Sequence, residues 1–253
     1  MTLQNTSSQN NTFRVYLGSS LLFIYILVSF PLIGSIIILC FAFPFSIRYK
    51  LSCLWTRSVS WMTKICCNLD YRIEGSENLP KKDQAYILLS KHQSAWETLA
   101  TRQFLPKQTT VLKQSLTWIP LGGWALATLK PIAIDRTNAK EALKNLVKQG
   151  SARLKEGFVV IIFPEGTRSA PGENLKFNAG GALLAQKSGY PVIPLAHNAG
   201  EFWPRYSFLK YPGTITVKIG PAIDPKGKKA KEINSEAEAW IAQAMNEISI
   251  SKT

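Results

Sequence analysis

From Val15 to Ile47 the chain reads VYLGSSLLFIYILVSFPLIGSIIILCFAFPFSI without one charged residue, bounded by Arg14 before it and by Arg48 and Lys50 after it. No other stretch limits the fold as strongly. About 20 apolar residues at a rise of 1.5 Å cross the hydrocarbon core of a bilayer, so the run is longer than one span needs and shorter than two full spans. Pro31 and Gly34 lie near its middle, and a proline there removes a helix hydrogen bond and can kink or divide the run. Two geometries fit: a single tilted span, or a shallow helical hairpin that enters and leaves one leaflet. A cleaved signal peptide fits poorly, because its apolar region is roughly 7 to 15 residues with a small-residue cleavage site behind it.

Charge then narrows the partner. The 253 residues hold 30 Lys+Arg against 16 Asp+Glu, a formal net charge of +14, which points to an anionic partner such as a phospholipid surface, a phosphorylated substrate or nucleic acid. Arg48, Lys50, Arg57 and Lys64 follow the apolar run and only Arg14 precedes it. If the run spans, this positive-inside bias puts the rest of the chain in the cytoplasm, on the inner face of the cell membrane. Lys226, Lys228, Lys229 and Lys231 read as a solvated loop or a further polybasic contact with the bilayer. Nothing supports nucleic acid as the partner: zinc-finger spacing, RNP-like motifs and basic helices are all missing. Cys40, Cys53, Cys66 and Cys67 have neither C-x-x-C spacing nor a histidine at metal-ligand distance, so they read as free thiols in a reducing compartment and no metal site is expected.

The chain divides into a polar, disordered N-terminus over 1–14, a membrane-associated helical segment over 15–67, and a soluble domain over 68–253. Hydrophobic content of 46% is ample for a core. In the soluble part, runs suited to strands occur at Tyr71–Glu74, Ala85–Ser90, Thr109–Lys113, Pro131–Ile134, Phe158–Phe163, Pro191–Ala196 and Thr214–Ile219. Helical patterns fall at about 50–67, Ser94–Phe104, Ala139–Lys155, Ala179–Ser188 and Ala230–Ile248. The alternation predicts an α/β domain with a mixed, largely parallel sheet of about seven strands and flanking helices. Leu116–Ala133, with Trp118 and Trp124, carries one charge and reads as a core helix or as the lining of an acyl-chain groove.

Ligands of open α/β sheets gather beyond the carboxyl ends of the strands, and two motifs lie at such ends. AYILLS runs into Lys91-His92, and FVVIIF runs into Pro164-Glu165-Gly166-Thr167-Arg168. Residues five apart on a helix are about 140° apart around its axis, so His92 and Glu97 could not meet if both were helical. The histidine must precede the helix. Ser94 to Glu97 fits a capping box, with Ser94 as N-cap and Glu97 reaching back from N3. That same reach swings the carboxylate toward His92, so cap and dyad are compatible. In a dyad the carboxylate would fix the imidazole tautomer and leave the second ring nitrogen to take a proton from a substrate hydroxyl. His197, alone after a strand, reads as structural.

The second motif, FPEGTRS at Phe163–Ser169, holds an arginine at the end of a buried strand, a position suited to bidentate phosphate recognition. Together the two motifs resemble the 1-acylglycerol-3-phosphate acyltransferase family, whose signatures are H-x-x-x-x-D and F-P-E-G-T-R. Ile132–Arg136, IAIDR, is similar to the family's second block, and Tyr190–Ala196, YPVIPLA, to its fourth. The resemblance covers roughly residues 70 to 225. Glu97 stands where the family usually has aspartate, one methylene shorter. Lys130 and Ala133 replace the glycine and phenylalanine of the second block, so only Arg136 carries over there.

The resemblance implies the glycerolphosphate acyltransferase fold and transfer of a fatty acyl group from acyl-CoA or acyl-carrier protein to the free hydroxyl of 1-acyl-sn-glycerol-3-phosphate, giving phosphatidic acid. No cofactor is implied beyond the thioester co-substrate. His92 would be the general base, Glu97 its orienter, and Arg168 the phosphate clamp, with Arg136 and Lys113 as further phosphate contacts. Glu165, Gly166 and Thr167 would form the substrate-binding loop, Glu165 and Gly166 shaping it around the phosphate, with glycerol hydroxyls as a further contact open to Glu165. An acyl-enzyme is not expected, since no G-x-S-x-G elbow is present. Two rival readings are another lysolipid acceptor, such as lyso-ornithine lipid or lysophosphatidylglycerol, and a non-catalytic basic membrane tether.

Overall fold

The computed structural model describes residues 3–81, 83–135 and 137–250, with side chains from residue 12 onward. The charge-free run folds as one arm and the turn of a helical hairpin. Helix α1 (Leu3–Leu39) continues through Pro31 into a 3-10 turn at Cys40–Ala42, and after Pro44 helix α2 (Phe45–Cys67) returns beside it. Tyr25 Oη donates to Ser58 Oγ at 2.6 Å, Trp55 Nε1 donates to Ser29 Oγ at 3.0 Å, and Gly18 lies against the Cys66 carbonyl, which sets an antiparallel register. The polar N-terminal stretch expected to be disordered is helical from Leu3. Extending an existing helix adds one hydrogen bond per residue without a new nucleus.

The other side of α1 docks on the soluble domain. Leu22 and Ile37 are buried, the Lys210 N–H donates to Ser19 Oγ at 2.9 Å, and the Phe30 ring covers Gly122. Helix α1 thus packs against α2 on one side and the soluble domain on another, forming a hairpin with α2, while the stretch Thr12–Ala42 stays mostly exposed and is long and apolar enough to cross a membrane. Leu17, Leu21, Ile24, Val28 and Leu32 remain exposed on α1, as do Ile47, Leu54 and Trp61 on α2.

The soluble domain continues as β1 (Leu69–Glu74), β2 (Ile87–Ser90), α3 (Trp96–Phe104), β3 (Gln108–Lys113), α4 (Gly122–Thr128), β4 (Ile132–Ile134), α5 (Ala139–Lys155), β5 (Val159–Ile162), α6 (Gly180–Ser188), β6 (Val192–His197), α7 (Ala199–Phe202), β7 (Gly213–Ile219) and α8 (Ala230–Ile248). The strands form one sheet in the order β1-β7-β6-β2-β5-β3-β4. Every neighbouring pair is parallel except β6 and β7. Each strand overlaps a run read from the sequence. In the central strands alternate residues serve opposite faces, as period-two geometry requires. Leu88, Ile161, Ile193 and Leu195 pack with Leu22, Cys67, Trp96 and Ala100, whereas Ile87, Leu89, Val160 and Ile162 pack with Leu146, Leu154, Leu184 and Ile233. Both faces are covered, and a fully buried aliphatic side chain contributes about 1.5–3 kcal/mol. Helix α5 begins where Asn138 Oδ1 accepts the Glu141 N–H at 3.1 Å, an N-cap that satisfies an otherwise orphan donor.

Leu116–Ala133 departs from a core helix. Pro120 and the pair Gly122-Gly123 interrupt it, leaving a 3-10 turn at Gln114–Trp118 and the short α4, with Trp118 and Trp124 exposed. Its inner side, including Leu116, Ala125 and Leu126, lines a cavity.

The hairpin register yields a stability test. A methyl group at Gly18 would overlap the Cys66 carbonyl oxygen, and overpacking of this kind costs about 1–3 kcal/mol. Thermal unfolding in detergent micelles is expected to show a lower Tm for Gly18→Ala and an unchanged Tm for Leu17→Ala, whose side chain is exposed.

Candidate active site

Strands β2 and β5 run side by side, with Leu89 opposite Ile162, so the turns beginning at Lys91 and Phe163 leave the sheet at the same end. Between them lies a buried polar cluster. The Lys91 ammonium pairs with Glu165 Oε1, the His92 N–H donates to Glu165 Oε2 at 2.9 Å, and Ser169 Oγ donates to Glu165 Oε1 at 3.2 Å. The Ser169 N–H also donates to the His92 carbonyl at 2.8 Å. Glu165 therefore turns inward and holds the His92 backbone. Its carboxylate is fully buried and bound by these donors, so it shapes the loop from within; a buried carboxylate is stable only where donors surround it.

His92 stands on the turn ahead of α3, and its Nδ1–H donates to Glu97 Oε1 at 2.7 Å. The same oxygen accepts the Gln93 N–H at 3.0 Å and the Ser94 N–H at 2.9 Å, while Ser94 Oγ accepts the Trp96 N–H at 3.1 Å. Helix α3 begins one residue later than the expected box requires, with Ala95 as N-cap and no side-chain cap bond, yet Glu97 still reaches back so that the Ser94 N–H and the imidazole meet on one carboxylate oxygen. Burial alone would push the Glu97 carboxyl up, but the facing imidazoles of His197 and His92 and the Ser94 N–H outweigh it and hold it below the usual carboxylate range. An ionised Glu97 keeps the proton on Nδ1 and leaves Nε2 of His92 with its lone pair free. Phe163 stacks on the imidazole at 4.1 Å between centroids and fixes its plane.

His92 lines a cavity of about 960 Å³. Arg168, Lys113, Gly166 and Thr167 line it at the polar end; Leu99, Ala125, Leu126 and Leu146, with Phe30, Ile33 and Ile37 of α1, make its apolar walls. Gly166 adopts φ +73° in the turn, a backbone conformation that favours glycine. The Arg168 backbone is fixed by Arg205, which donates to its carbonyl and pairs with Glu173 at 3.3 Å. Arg136 lies outside the described residues. Three participants were not legible from sequence spacing: Lys91, Phe163 and His197. The last sits at the end of β6, buried, with Nε2 3.9 Å from Glu97 Oε2. Only the strand order, which places β6 beside β2, brings it there.

A parallel-sheet domain that sets a carboxylate-bound histidine beside an arginine-bearing turn, over an apolar cavity, defines an acyltransferase. The family profile described as Acyltransferase matches residues 70–198. The chain is 48% identical over 210 residues to the 1-acyl-sn-glycerol-3-phosphate acyltransferase of Pseudomonas aeruginosa, covering 81% of each chain. It is 32% identical over 180 residues to the enzyme of the same name from Saccharomyces cerevisiae, covering 69% of this chain and 58% of that one. The crystal structure of the 1-acyl-sn-glycerophosphate acyltransferase PlsC from Thermotoga maritima matches with a TM-score of 0.78 at 25% identity, over 96% of this chain and 99% of that one. The chain belongs to the 1-acyl-sn-glycerol-3-phosphate acyltransferase family.

The Glu165 cluster gives a prediction that separates clamp from substrate contact. Removing one member of a buried ion pair costs about 3–5 kcal/mol because the other charge is left uncompensated. Glu165→Gln is therefore expected to lower the Tm markedly and to lower kcat of the folded protein by loosening His92, with the acceptor KM little changed. A stable variant with a raised acceptor KM would instead make Glu165 a substrate contact.

Proposed function

We propose that the protein transfers a fatty acyl group from a thioester, acyl-CoA or acyl-carrier protein, to the free hydroxyl of 1-acyl-sn-glycerol-3-phosphate, forming phosphatidic acid for phospholipid synthesis. The observation that carries this reading is the bond from His92 Nδ1 to Glu97 Oε1 at 2.7 Å in a cavity shared with Arg168. His92 Nε2 takes the hydroxyl proton as the oxygen attacks the thioester carbonyl, and the imidazolium that forms is stabilised by Glu97. Collapse of the tetrahedral intermediate breaks the C–S bond, and the imidazolium returns its proton to the leaving thiolate. The acyl group passes directly to the acceptor, with no cofactor beyond the thioester. Arg168 clamps the acceptor phosphate in a charge-assisted, bidentate contact, and Lys113 adds positive charge at the rim. The apolar walls take acyl chains.

The exposed apolar faces of α1 and α2 bind one leaflet of the bilayer, and the domain works from the cytoplasmic face of the cell membrane. Both ends of the hairpin lie on the side of the soluble domain, so the flanking cations act here as contacts to anionic headgroups.

Two variants test the assignment in an acylation assay with lysophosphatidic acid and acyl-CoA. His92→Ala is expected to lose about 10²-fold or more in kcat with the fold retained and a modestly lower Tm, since Glu97 loses one donor but keeps the Gln93 and Ser94 N–H groups; near wild-type turnover would remove the base. Arg168→Ala is expected to raise the acceptor KM by about 1.5–3 kcal/mol of lost charge-assisted bonding, roughly ten- to a hundredfold. A raised thioester KM with an unchanged acceptor KM would assign the arginine to the donor.

A further inference from the structure

We propose that His197 is a positioning residue of the acyl-transfer site, holding the carbonyl of the peptide that leads into His92 while its ring closes off the unbonded side of the Glu97 carboxylate. The inference rests on His92 being the base. Glu97 is buried, and its two oxygens differ sharply. Oε1 accepts three hydrogen bonds, at 2.7, 3.0 and 2.9 Å. Oε2 is buried and has no hydrogen-bond partner among the described residues. His197 Nε2 faces it at 3.9 Å.

The tautomer of His197 follows from its other contacts. Nδ1 accepts the Ala199 N–H at 3.3 Å, which leaves the proton on Nε2, and Nε2–H donates to the Lys91 carbonyl at 2.9 Å. That carbonyl belongs to the peptide leading into His92, so the ring steadies the base's backbone, while Glu97 Oε2 at 3.9 Å lies beyond hydrogen-bond reach. Trp96 packs edge-on against the ring at 6.0 Å and limits its rotation. The charged and titratable groups around it are Glu97, His92 and Lys91, whose ammonium is bound to Glu165. Burial holds the imidazole below its ordinary proton affinity, so it serves as a neutral donor. A neutral ring beside the carboxylate does not compete for the charge that His92 must acquire. An imidazolium there would draw Glu97 away.

Glutamine can place an N–H near the Nε2 position, whereas asparagine reproduces only the acceptor at Nδ1, which separates the two contacts. In steady-state kinetics on the full-length protein in micelles, His197→Asn is expected to lower kcat by about ten- to a hundredfold, the range of outer-shell hydrogen-bond partners. Both KM values should stay within about twofold. His197→Gln should recover most of kcat by restoring a donor to the Lys91 carbonyl. A His197→Asn variant with wild-type kcat and only a lower Tm would make His197 a structural filler and overturn the proposal. Activity retained by His92→Ala would fail the base instead, a distinct result. If His197→Asn does not fold, nitrogen NMR of untagged wild type decides, since the chain has only two histidines. One ring should carry its proton on Nε2, the nitrogen that faces the Lys91 carbonyl. A proton on Nδ1 would refute the role.

Discussion

Two strands ending side by side in a parallel sheet fix where their loops begin but not how the loops sit. At the ends of β2 and β5 that freedom is removed by the buried pair of Lys91 and Glu165. A buried ion pair does not by itself add stability, because desolvation of both charges can exceed their attraction. What it adds here is geometry. Glu165 also accepts from the His92 N–H and from Ser169 Oγ, and Lys91 Nζ reaches the Glu173 carbonyl at 3.3 Å. Each lone pair thus spent ties the histidine turn to the arginine turn, and the relative placement of His92 and Arg168 follows from that knot.

The electrostatics of the dyad follow from its burial. Charge–charge and hydrogen-bond energies grow as the local dielectric falls, so an imidazolium formed at His92 interacts more strongly with Glu97 than it would in water. The same burial would neutralise the carboxylate were it not for the donors gathered on Oε1. One Glu97 oxygen meets both the imidazole and the Ser94 N–H just ahead of α3.

Much of this was legible in the sequence, for a physical reason: every central strand is buried on both faces and reads as a continuous apolar run. Period-3.6 patterns with polar caps likewise marked α5 and α8. The dyad was legible because a capping box obliges Glu97 to point backward. Glu165 was not, since a Pro-Glu-Gly turn gives no sign of whether its carboxylate faces solvent or a buried lysine. Nor was His197, about a hundred residues from Glu97 in sequence, because its place depends on strand order, which no local pattern encodes. The core-helix reading of Leu116–Ala133 failed at Pro120 and Gly122-Gly123, which outweighed the apolar composition.

The hairpin also changes what the cations around it mean. On α2, Ile47, Leu54 and Trp61 recur every seven residues and are exposed, and Lys50, Arg57 and Lys64 form a second exposed line with the same spacing. Residues three apart lie about 60° away on the circumference, measured the short way round, so the apolar and basic lines run side by side along one helix. That is the pattern of a helix lying in a bilayer interface, its apolar line in the acyl region and its cations at headgroup level, although Lys64 also pairs with Asp70 at 2.7 Å. Phe30, Ile33 and Ile37 of the adjoining α1 face the cavity that holds His92. With the hairpin in one leaflet as proposed, a lysolipid reaches that cavity along an apolar wall. Its chain stays out of water, and its phosphate arrives where Arg168 stands.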